Sequence, residues 1–201
     1  VVEVLHPKPG EVVFDLCAAP GIKSAQIAQM MGNEGFVHAI DYSSGRMKNL
    51  KTFLRRMEAT NVEPIIADAR KALPLNTRAD RVLLDPPCSG TGVFWKAPAM
   101  KWSTTESTVR RLSRIQSGLI ESAAESVKTG GTLVYSTCSI MVEENEMVIE
   151  HLLRSRPEFA LVEAAPRLGS PGLRGLAKCQ RLYPHSHDAN GCVIAKLVRG
   201  D

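Results

Sequence analysis

The sequence lacks the patterns that mark disulfide-rich, metal-binding and membrane-spanning proteins. Its five cysteines contain no C-x-x-C pair and are odd in number, which argues against both a zinc site and a disulfide framework. No apolar run approaches the roughly 18 uncharged residues that cross a bilayer, and the first residues lack the charged start and apolar stretch of a secretory signal. We therefore expect free thiols in a reducing compartment, a cytoplasmic location, and neither a metal nor a membrane partner.

The composition is that of a globular domain with a mildly basic balance of charge. The chain has 201 residues, of which 44% are hydrophobic and 23% charged, which is enough for one fair-sized core. The net charge of +4 is compatible with a polyanionic partner. We predict one domain over residues 1–201 and expect a monomer. Because the chain begins Val1-Val2-Glu3 without a methionine, we also expect a further module upstream.

Short apolar runs alternate with stretches whose apolar residues have helical spacing. The longest helical stretch follows Pro98 and is predicted to end at Gly130-Gly131. This alternation predicts an α/β fold, with a doubly wound, mostly parallel sheet of seven strands and helices on both faces. The predicted strands lie near residues 12–17, 36–40, 64–67, 81–85, 132–138, 159–163 and 192–198.

Polar and reactive residues follow the predicted strands, where doubly wound sheets bind their ligands. The first strand-to-helix turn, Cys17–Lys23, offers small residues and free N–H groups but lacks the G-x-G-x-x-G spacing of a dinucleotide site. Asp41, after the second strand, is suited to accept hydrogen bonds from both hydroxyls of a ribose. Asp68, after the third, suits an adenine amino group. Together these residues predict a site for an adenosine-containing ligand.

Two further motifs bring thiols to the ends of neighbouring strands. Asp85-Pro86-Pro87-Cys88 ends the fourth predicted strand, and Thr137-Cys138 ends the fifth. With these motifs the sequence resembles the RNA cytosine carbon-5 methyltransferases of the NOL1/NOP2/Sun (Fmu-like) family. The resemblance covers nearly the whole chain, and it extends to the segments Asp15–Gly21, Glu143–Glu146 and Arg181–His185.

The resemblance implies a class I S-adenosylmethionine-dependent, Rossmann-like fold and methylation of carbon-5 of cytosine in ribosomal or transfer RNA. By the family pattern, Cys138 is the attacking nucleophile and Cys88 assists release of the product. Asp85 then hydrogen-bonds the cytosine ring edge, and Lys23 favours thiolate. Residues 1–201 become the catalytic domain, and the upstream module an RNA-binding region. The residues implied for cofactor binding are Cys17, Ala18, Ala19, Pro20, Gly21, Ile22, Lys23, Asp41, Arg46, Asp68 and Asp85.

A thiol nucleophile suits this reaction because carbon-5 of cytosine is too weakly nucleophilic to take a methyl group unaided. Addition of a thiolate to carbon-6 converts the ring into an enamine and activates carbon-5. Two other readings compete. An amino-group nucleic-acid methyltransferase has an aromatic residue after Asp-Pro-Pro, where this chain has Cys88. A non-catalytic, cofactor-binding RNA scaffold has no chemical need for both thiols.

Basic and aromatic side chains are candidate RNA contacts. Trp95 and Trp102, beside Lys96 and Lys101, are suited to stack on bases, although packing of their loop explains them equally well. Two basic groups on predicted helices suit phosphate contacts or solvated helix faces. These groups are Lys48, Lys51, Arg55 and Arg56, and Arg110, Arg111 and Arg114.

Overall fold

The structure is a computed structural model that describes residues 1–71 and 73–201, and one sheet forms its centre. The strands in these residues are β1 (Val12–Leu16), β2 (Phe36–Asp41), β3 (Val62–Ile66), β4 (Ala79–Leu84), β5 (Val127–Thr137), β6 (Phe159–Val162), β7 (Ser170–Pro171), β8 (Gln180–Leu182) and β9 (Cys192–Arg199). The helices are α1 (Val2–Leu5), α2 (Ile22–Met30), α3 (Ser44–Arg56), α4 (Met100–Ser103), α5 (Glu106–Glu125), α6 (Glu146–Ser155) and α7 (Pro184–His187). Short 3₁₀ turns cover Thr91–Val93 and Val142–Glu144.

The strand order puts a topological switch point at the middle of the sheet. The order is β3-β2-β1-β4-β5-β9-β8-β7, with β6 paired to β9. Strands β1 to β5 run parallel, whereas β9 is antiparallel to β5, β6 and β8. The chain winds away from β1 in both directions, so a crevice opens beyond the carboxyl ends of β1 and β4. This architecture confirms the predicted α/β fold and places the ligand site at that edge.

Both faces of the sheet are covered by helices, which explains why the central strands carry buried apolar residues on both faces. In β1, Phe14 belongs to the core cluster that includes α5 and α6, whereas Val13 belongs to the cluster that includes α1 and α2. Adjacent residues of a strand point to opposite faces, so one strand supplies both cores. The buried strands hold the strand ends at fixed positions.

The sheet has two more strands than the seven predicted. Both extra strands are short: β7 has two residues and β8 three. Each forms only a few antiparallel pairs, such as Arg181 with Val193 and Ser170 with Arg181. Segments of this length carry no measurable alternation of apolar and polar residues, so the sequence pattern could not distinguish them from the surrounding loop.

The prediction that Gly130-Gly131 ends the long helix is wrong. Helix α5 ends at Glu125, and both glycines lie within β5. The register between β4 and β5 is irregular here, because Ala79 pairs with Val127 whereas Arg81 pairs with Thr132. Gly130 has a φ of 76°, so a residue without a side chain accommodates the bulged strand.

No helix in the described part of the chain combines the length and apolar character needed to cross a bilayer.

Candidate active site

The turn between β1 and α2 forms the first wall of the site. Cys17 has a φ of 67°, and Gly21, with a φ of 104°, precedes the first residue of α2. A Cβ on Gly21 would lie 3.0 Å from Leu50 Cγ, so both the backbone angle and the packing require glycine. Ile22 is the first residue of α2, and it is 60% exposed. Its side chain therefore does not fill the turn.

Asp41 ties this turn to the end of β2. Its side chain is buried and accepts hydrogen bonds from the backbone N of Ala19 (3.3 Å) and of Ser43 (2.9 Å). Arg46 Nη2 donates to Asp41 Oδ1 over 2.8 Å, and its guanidinium lies 5.0 Å from the ring centroid of Tyr42. Asp41 therefore organises the turn between β1 and α2, and the half-exposed Arg46 covers its carboxylate.

A cavity of about 410 Å³ lies between the ends of the first strands and helix α5. Its walls are largely apolar, and they are formed by Cys17, Tyr42, Ala67, Asp68, Ala69, Arg70, Pro87, Arg111, Leu112, Ile115 and Leu119. Asp68 lies in this wall, but Arg70 binds its carboxylate in a bidentate pair with distances of 2.9 and 2.7 Å. Hydrogen bonding by Arg70 lowers the pKa of Asp68 to about 2. The shape and lining suit a flat, largely apolar ring.

A smaller cavity of about 110 Å³ adjoins the turn, and Asp15, Lys23 and Asp85 line it. Lys23 Nζ forms an ion pair with Asp85 Oδ2. Burial acts to lower the pKa of Lys23, but the charge of Asp85 and its hydrogen bond outweigh burial and raise the pKa. The Ser136 hydroxyl also donates to Asp85 Oδ1 over 3.4 Å. Lys23 is thus a positively charged group held in place by the carboxylate of Asp85.

Asp15 lines the smaller cavity, and sequence reasoning noted it only as the first residue of a motif. It lies within the apolar strand β1, is 1% exposed, and accepts a 2.6 Å hydrogen bond from the Ser24 hydroxyl. Burial raises the pKa of Asp15 to about 7, although the hydrogen bond from Ser24 acts to lower it. The available signal was an acidic residue inside an otherwise apolar strand, which is rare without a partner or a function.

The two predicted thiols meet between the ends of β4 and β5. Cys88 Sγ and Cys138 Sγ are 3.1 Å apart, and both cysteines are free. The hydrogen bond from Cys88 is the main cause that lowers the pKa of the Cys138 thiol, and the Lys23 charge acts in the same direction. The same pairing, together with burial, raises the pKa of Cys88. Cys138 is therefore the member of the pair that favours thiolate, and Cys88 the member that favours thiol.

A third thiol at this edge behaves differently. Cys17 lines both cavities, but burial raises its pKa to about 12. Near neutral pH Cys17 is therefore a thiol and not a thiolate, unlike a reactive cysteine.

The buried Glu144 contacts the residues that follow the two cysteines, and sequence reasoning noted it only as part of a motif. Its carboxylate accepts hydrogen bonds from the Ser89 backbone N (2.9 Å), from the Ser89 and Ser139 hydroxyls, and from Gln116 Nε2 (3.1 Å). Its backbone carbonyl accepts a 2.6 Å hydrogen bond from the Tyr135 hydroxyl. Residues from three segments therefore converge on one side chain, and Tyr135 fixes its backbone.

The loop after Cys138 is also held by Arg181, which lies in strand β8. Arg181 and Glu146 form a bidentate ion pair with two 2.6 Å contacts, and their side chains are 1% and 0% exposed. Arg181 Nη1 also donates to the Ile140 carbonyl over 3.0 Å. Arg181, the first residue of the motif segment Arg181–His185, therefore contacts the loop that follows Cys138.

Backbones cross closely next to the thiols. Gly92 N donates to the Cys138 carbonyl over 2.9 Å, and Gly191 N donates to the Gly92 carbonyl over 2.9 Å. A Cβ on Gly92 would lie 2.1 Å from the Gly191 carbonyl oxygen. Only glycine allows the loop after Cys88 to approach the loop after Cys138 this closely.

The structure brings the predicted site residues to one edge of the sheet. Cys17–Lys23, Asp41 and Asp85 surround the smaller cavity or its rim, while Cys88 and Cys138 lie beside it. Asp68 stands apart at the larger cavity. No cluster of three or more His, Cys, Asp or Glu residues able to hold a metal occurs in residues 1–71 and 73–201.

The loop after the Pro-Cys motif carries exposed aromatic and basic side chains. Trp95 is 61% exposed and Trp102 is 85% exposed. The Lys96 and Lys101 ammonium groups lie 4.9 and 5.8 Å from the centroids of the neighbouring indole rings. Trp102 therefore makes little packing contact within the described residues. On α5, Arg110 pairs with Glu106, as expected for a solvated helix face.

The sheet order and the cavities at its switch point define the class I methyltransferase architecture. A solved structure of precorrin-6y C5,15-methyltransferase from Geobacter metallireducens matches 100% of this chain and 85% of that chain at a TM-score of 0.63, and at 14% identity it shows the fold alone. The chain belongs to the family described as 16S rRNA methyltransferase RsmB/F, whose model matches residues 2–198. The family resemblance inferred from the motifs is confirmed.

Relatives with named activities agree with this assignment. The tRNA (cytosine(72)-C(5))-methyltransferase of Pyrococcus horikoshii is 40% identical over 194 residues, which are 96% of this chain and 48% of the relative. The 28S rRNA (cytosine-C(5))-methyltransferase of Mus musculus is 40% identical over 211 residues, or 98% of this chain and 26% of the relative. The crystal structure of NSun6 from Pyrococcus horikoshii with SFG is 38% identical at a TM-score of 0.92, covering 100% of this chain and 50% of that one. The chain thus spans half or less of these relatives.

Proposed function

We propose that this chain is the catalytic domain of an S-adenosylmethionine-dependent RNA cytosine carbon-5 methyltransferase. The observation that carries the proposal is the pair of thiols 3.1 Å apart, Cys88 and Cys138, beside the Lys23–Asp85 ion pair. A methyltransferase that acts on an amino group or an oxygen needs no such pair. Membership of the family and the named activities of its relatives support the same reaction.

The residues present fit the cofactor. The glycine turn lets the backbone approach a ligand, the buried Asp41 supplies an acceptor at the end of β2, and the apolar cavity of about 410 Å³ has room for an adenine ring. When bound, the cofactor supplies an electrophilic methyl group on its sulfonium. The residues proposed to hold it are Cys17, Ala18, Ala19, Pro20, Gly21, Ile22, Lys23, Asp41, Arg46, Asp68 and Asp85.

In the proposed mechanism, Cys138 begins the reaction. Its thiolate sulfur forms a bond to carbon-6 of cytosine, and the electron pair of the 5,6 double bond becomes available at carbon-5. Asp85 hydrogen-bonds the edge of the cytosine ring, where charge develops. Lys23 balances the negative charge of Asp85. Once carbon-5 carries the methyl group, its proton passes to a general base, the electron pair of that carbon–hydrogen bond re-forms the 5,6 double bond, and the carbon–sulfur bond breaks. The sulfur of Cys138 then leaves as thiolate, and the neighbouring Cys88 supports this release.

RNA is the proposed partner. Relatives named for transfer RNA and for ribosomal RNA both match this chain, so either class is a candidate substrate. The exposed Trp102 and its neighbouring Lys101 suit contacts to unpaired bases and phosphates. We further propose that the domain acts as a monomer in the cytoplasm, and that a region outside residues 1–201 contributes RNA affinity.

Nucleoside analysis tests the proposal. The protein is incubated with isotope-labelled S-adenosylmethionine and unmodified ribosomal or transfer RNA, and the digested RNA is separated by liquid chromatography and mass spectrometry. We expect labelled 5-methylcytidine, and none from a Cys138→Ser variant. Labelled N4-methylcytidine would favour an amino-group methyltransferase. Cofactor binding without any methylated nucleoside would favour a non-catalytic scaffold.

A further inference from the structure

Glu144 joins the two loops that carry the thiols. Ser89 follows Cys88 and donates to Glu144 through both its backbone N (2.9 Å to Oε1) and its hydroxyl (to Oε2). Ser139 follows Cys138 and donates its hydroxyl to the same Oε2. The residue after each cysteine is therefore anchored to a single carboxylate. Any movement of Glu144 would change the separation of the two sulfur atoms.

A side chain from α5 fixes the orientation of Glu144. The amide of Gln116 donates through Nε2 to the Pro87 carbonyl (2.9 Å) and to Glu144 Oε1 (3.1 Å). An amide nitrogen can only donate, so the Pro87 carbonyl and Glu144 Oε1 both accept from Gln116. Gln116 and Glu144 are both fully buried. The carboxylate is thus held by four donations in a region of low dielectric.

The position of Glu144 also affects the two thiols unequally. The Cys138 hydrogen bond and burial are the main causes that raise the pKa of Cys88, and the negative charge of Glu144 acts in the same direction, whereas the main influences on Cys138 are the Cys88 hydrogen bond, burial and Asp85. A buried charge acts most strongly on the nearest titratable group. Glu144 therefore acts against ionisation of Cys88 and adds to the difference between the two thiols.

We propose that Glu144 is a positioning residue that holds the Cys88 and Cys138 loops at one separation and makes Cys138 the thiol that reacts first. It touches neither the RNA nor the cofactor in this role. The consequence for methylation rests on the proposed function, but the difference in reactivity between the thiols does not. The two claims can therefore fail separately.

Alkylation of the two thiols provides the test. The protein is treated briefly with iodoacetamide at pH 7.5, and the initial rates at Cys88 and Cys138 are measured by mass spectrometry of their peptides. In the wild type we expect Cys138 to react at least tenfold faster than Cys88. Glu144→Gln keeps the size of the side chain, and the serine hydroxyls are free to accept from its amide, so the loops stay joined while the charge is lost. We expect the ratio of rates to fall at least fivefold.

An exposed residue supplies the matched control. Glu34→Gln makes the same change of charge in the exposed turn before β2, and its ratio should equal that of the wild type. A folded Glu144→Gln protein with an unchanged ratio would overturn the proposal, because a purely structural carboxylate has no effect on which thiol reacts. Thermal unfolding of both variants establishes that they are folded.

A second variant decides the question if Glu144→Gln does not fold. Ser139→Ala removes one of the two loop anchors and leaves the charge in place. In steady-state methylation we expect kcat to fall at least tenfold while KM for RNA changes less than twofold, since the thiols are misplaced and the RNA surface is intact. An unchanged kcat would contradict the positioning role. If even the wild type methylates no RNA, the proposed function fails, and the alkylation ratio still tests this inference.

Discussion

The buried carboxyl of Asp15 makes the stability of this protein depend on pH in a predictable direction. Asp15 is 1% exposed, and burial raises its pKa from 3.8 to about 7 in the folded state. The folded protein therefore binds this proton more tightly than the unfolded chain does. The stabilisation is fully present below about pH 3.8 and is lost as the pH rises through about 7.

Asp15→Asn removes this ionisation and keeps an oxygen that can accept from the Ser24 hydroxyl. The difference between the two pKa values corresponds to about 4 kcal/mol at most. We expect the variant to unfold at nearly the same free energy as the wild type at pH 4, and to be more stable by about 2–4 kcal/mol at pH 8. Urea denaturation followed by circular dichroism at both pH values measures the difference.

A carboxylate with the opposite behaviour provides the control. At Asp80, burial acts to raise the pKa, but hydrogen bonds from Lys128 and the Val12 backbone outweigh it and lower the pKa. Asp80 therefore adds stability at neutral pH, and this contribution is lost as the pH falls through its lowered pKa. Asp80→Asn should cost stability at pH 8 and nearly as much at pH 4, because pH 4 still lies above the ordinary pKa of 3.8. A gain from Asp15→Asn that is equal at pH 4 and pH 8 would refute the reasoning.

Three further predictions concern the cofactor, the RNA and the fold. Asp41→Ala should weaken S-adenosylmethionine binding at least tenfold in calorimetry by removing the acceptor at β2, and an unchanged Kd would exclude that assignment. Trp102→Ala should weaken RNA binding about tenfold in a salt-matched gel-shift assay without lowering the melting temperature, because the ring is 85% exposed; equal affinity would remove it from the RNA surface. Arg181→Met should cost about 3–5 kcal/mol of unfolding free energy by leaving Glu146 buried and unpaired, and the added change Glu146→Leu should restore most of it. A double variant no more stable than the single one would contradict this explanation.

The parallel part of the sheet could be predicted because each of its strands carries a local signal. Short apolar runs ending at Asp41, Asp85 and Cys138 are readable along the chain, and the doubly wound topology brings their ends together. The turn at Gly21 is equally local, since small residues and a helix start adjoin in sequence. These features sufficed to place the thiols and the cofactor turn on one edge.

Other features depend on contacts between distant segments and leave no local trace. Glu144 meets Ser89 across 55 positions, and Arg181 meets Glu146 across 35. Leu112 lines the larger cavity, yet it belongs to the apolar stripe of α5 and therefore reads as an ordinary core residue. Asp68 was expected to meet an adenine amino group, and its pairing with Arg70 two positions away shows a competing local partner. The adenine contact remains a prediction.

The central claim is that the paired thiols have different roles in one covalent mechanism, and trapping the protein on its RNA tests it most directly. Wild type, Cys88→Ala and Cys138→Ala are each incubated with S-adenosylmethionine and labelled RNA, and then separated on a denaturing gel. We expect Cys88→Ala to accumulate a covalent protein–RNA complex, because attack and methyl transfer proceed while release stalls. Cys138→Ala should form neither the complex nor methylated RNA. Methylation by Cys138→Ala, or a stalled complex with that variant, would contradict the account.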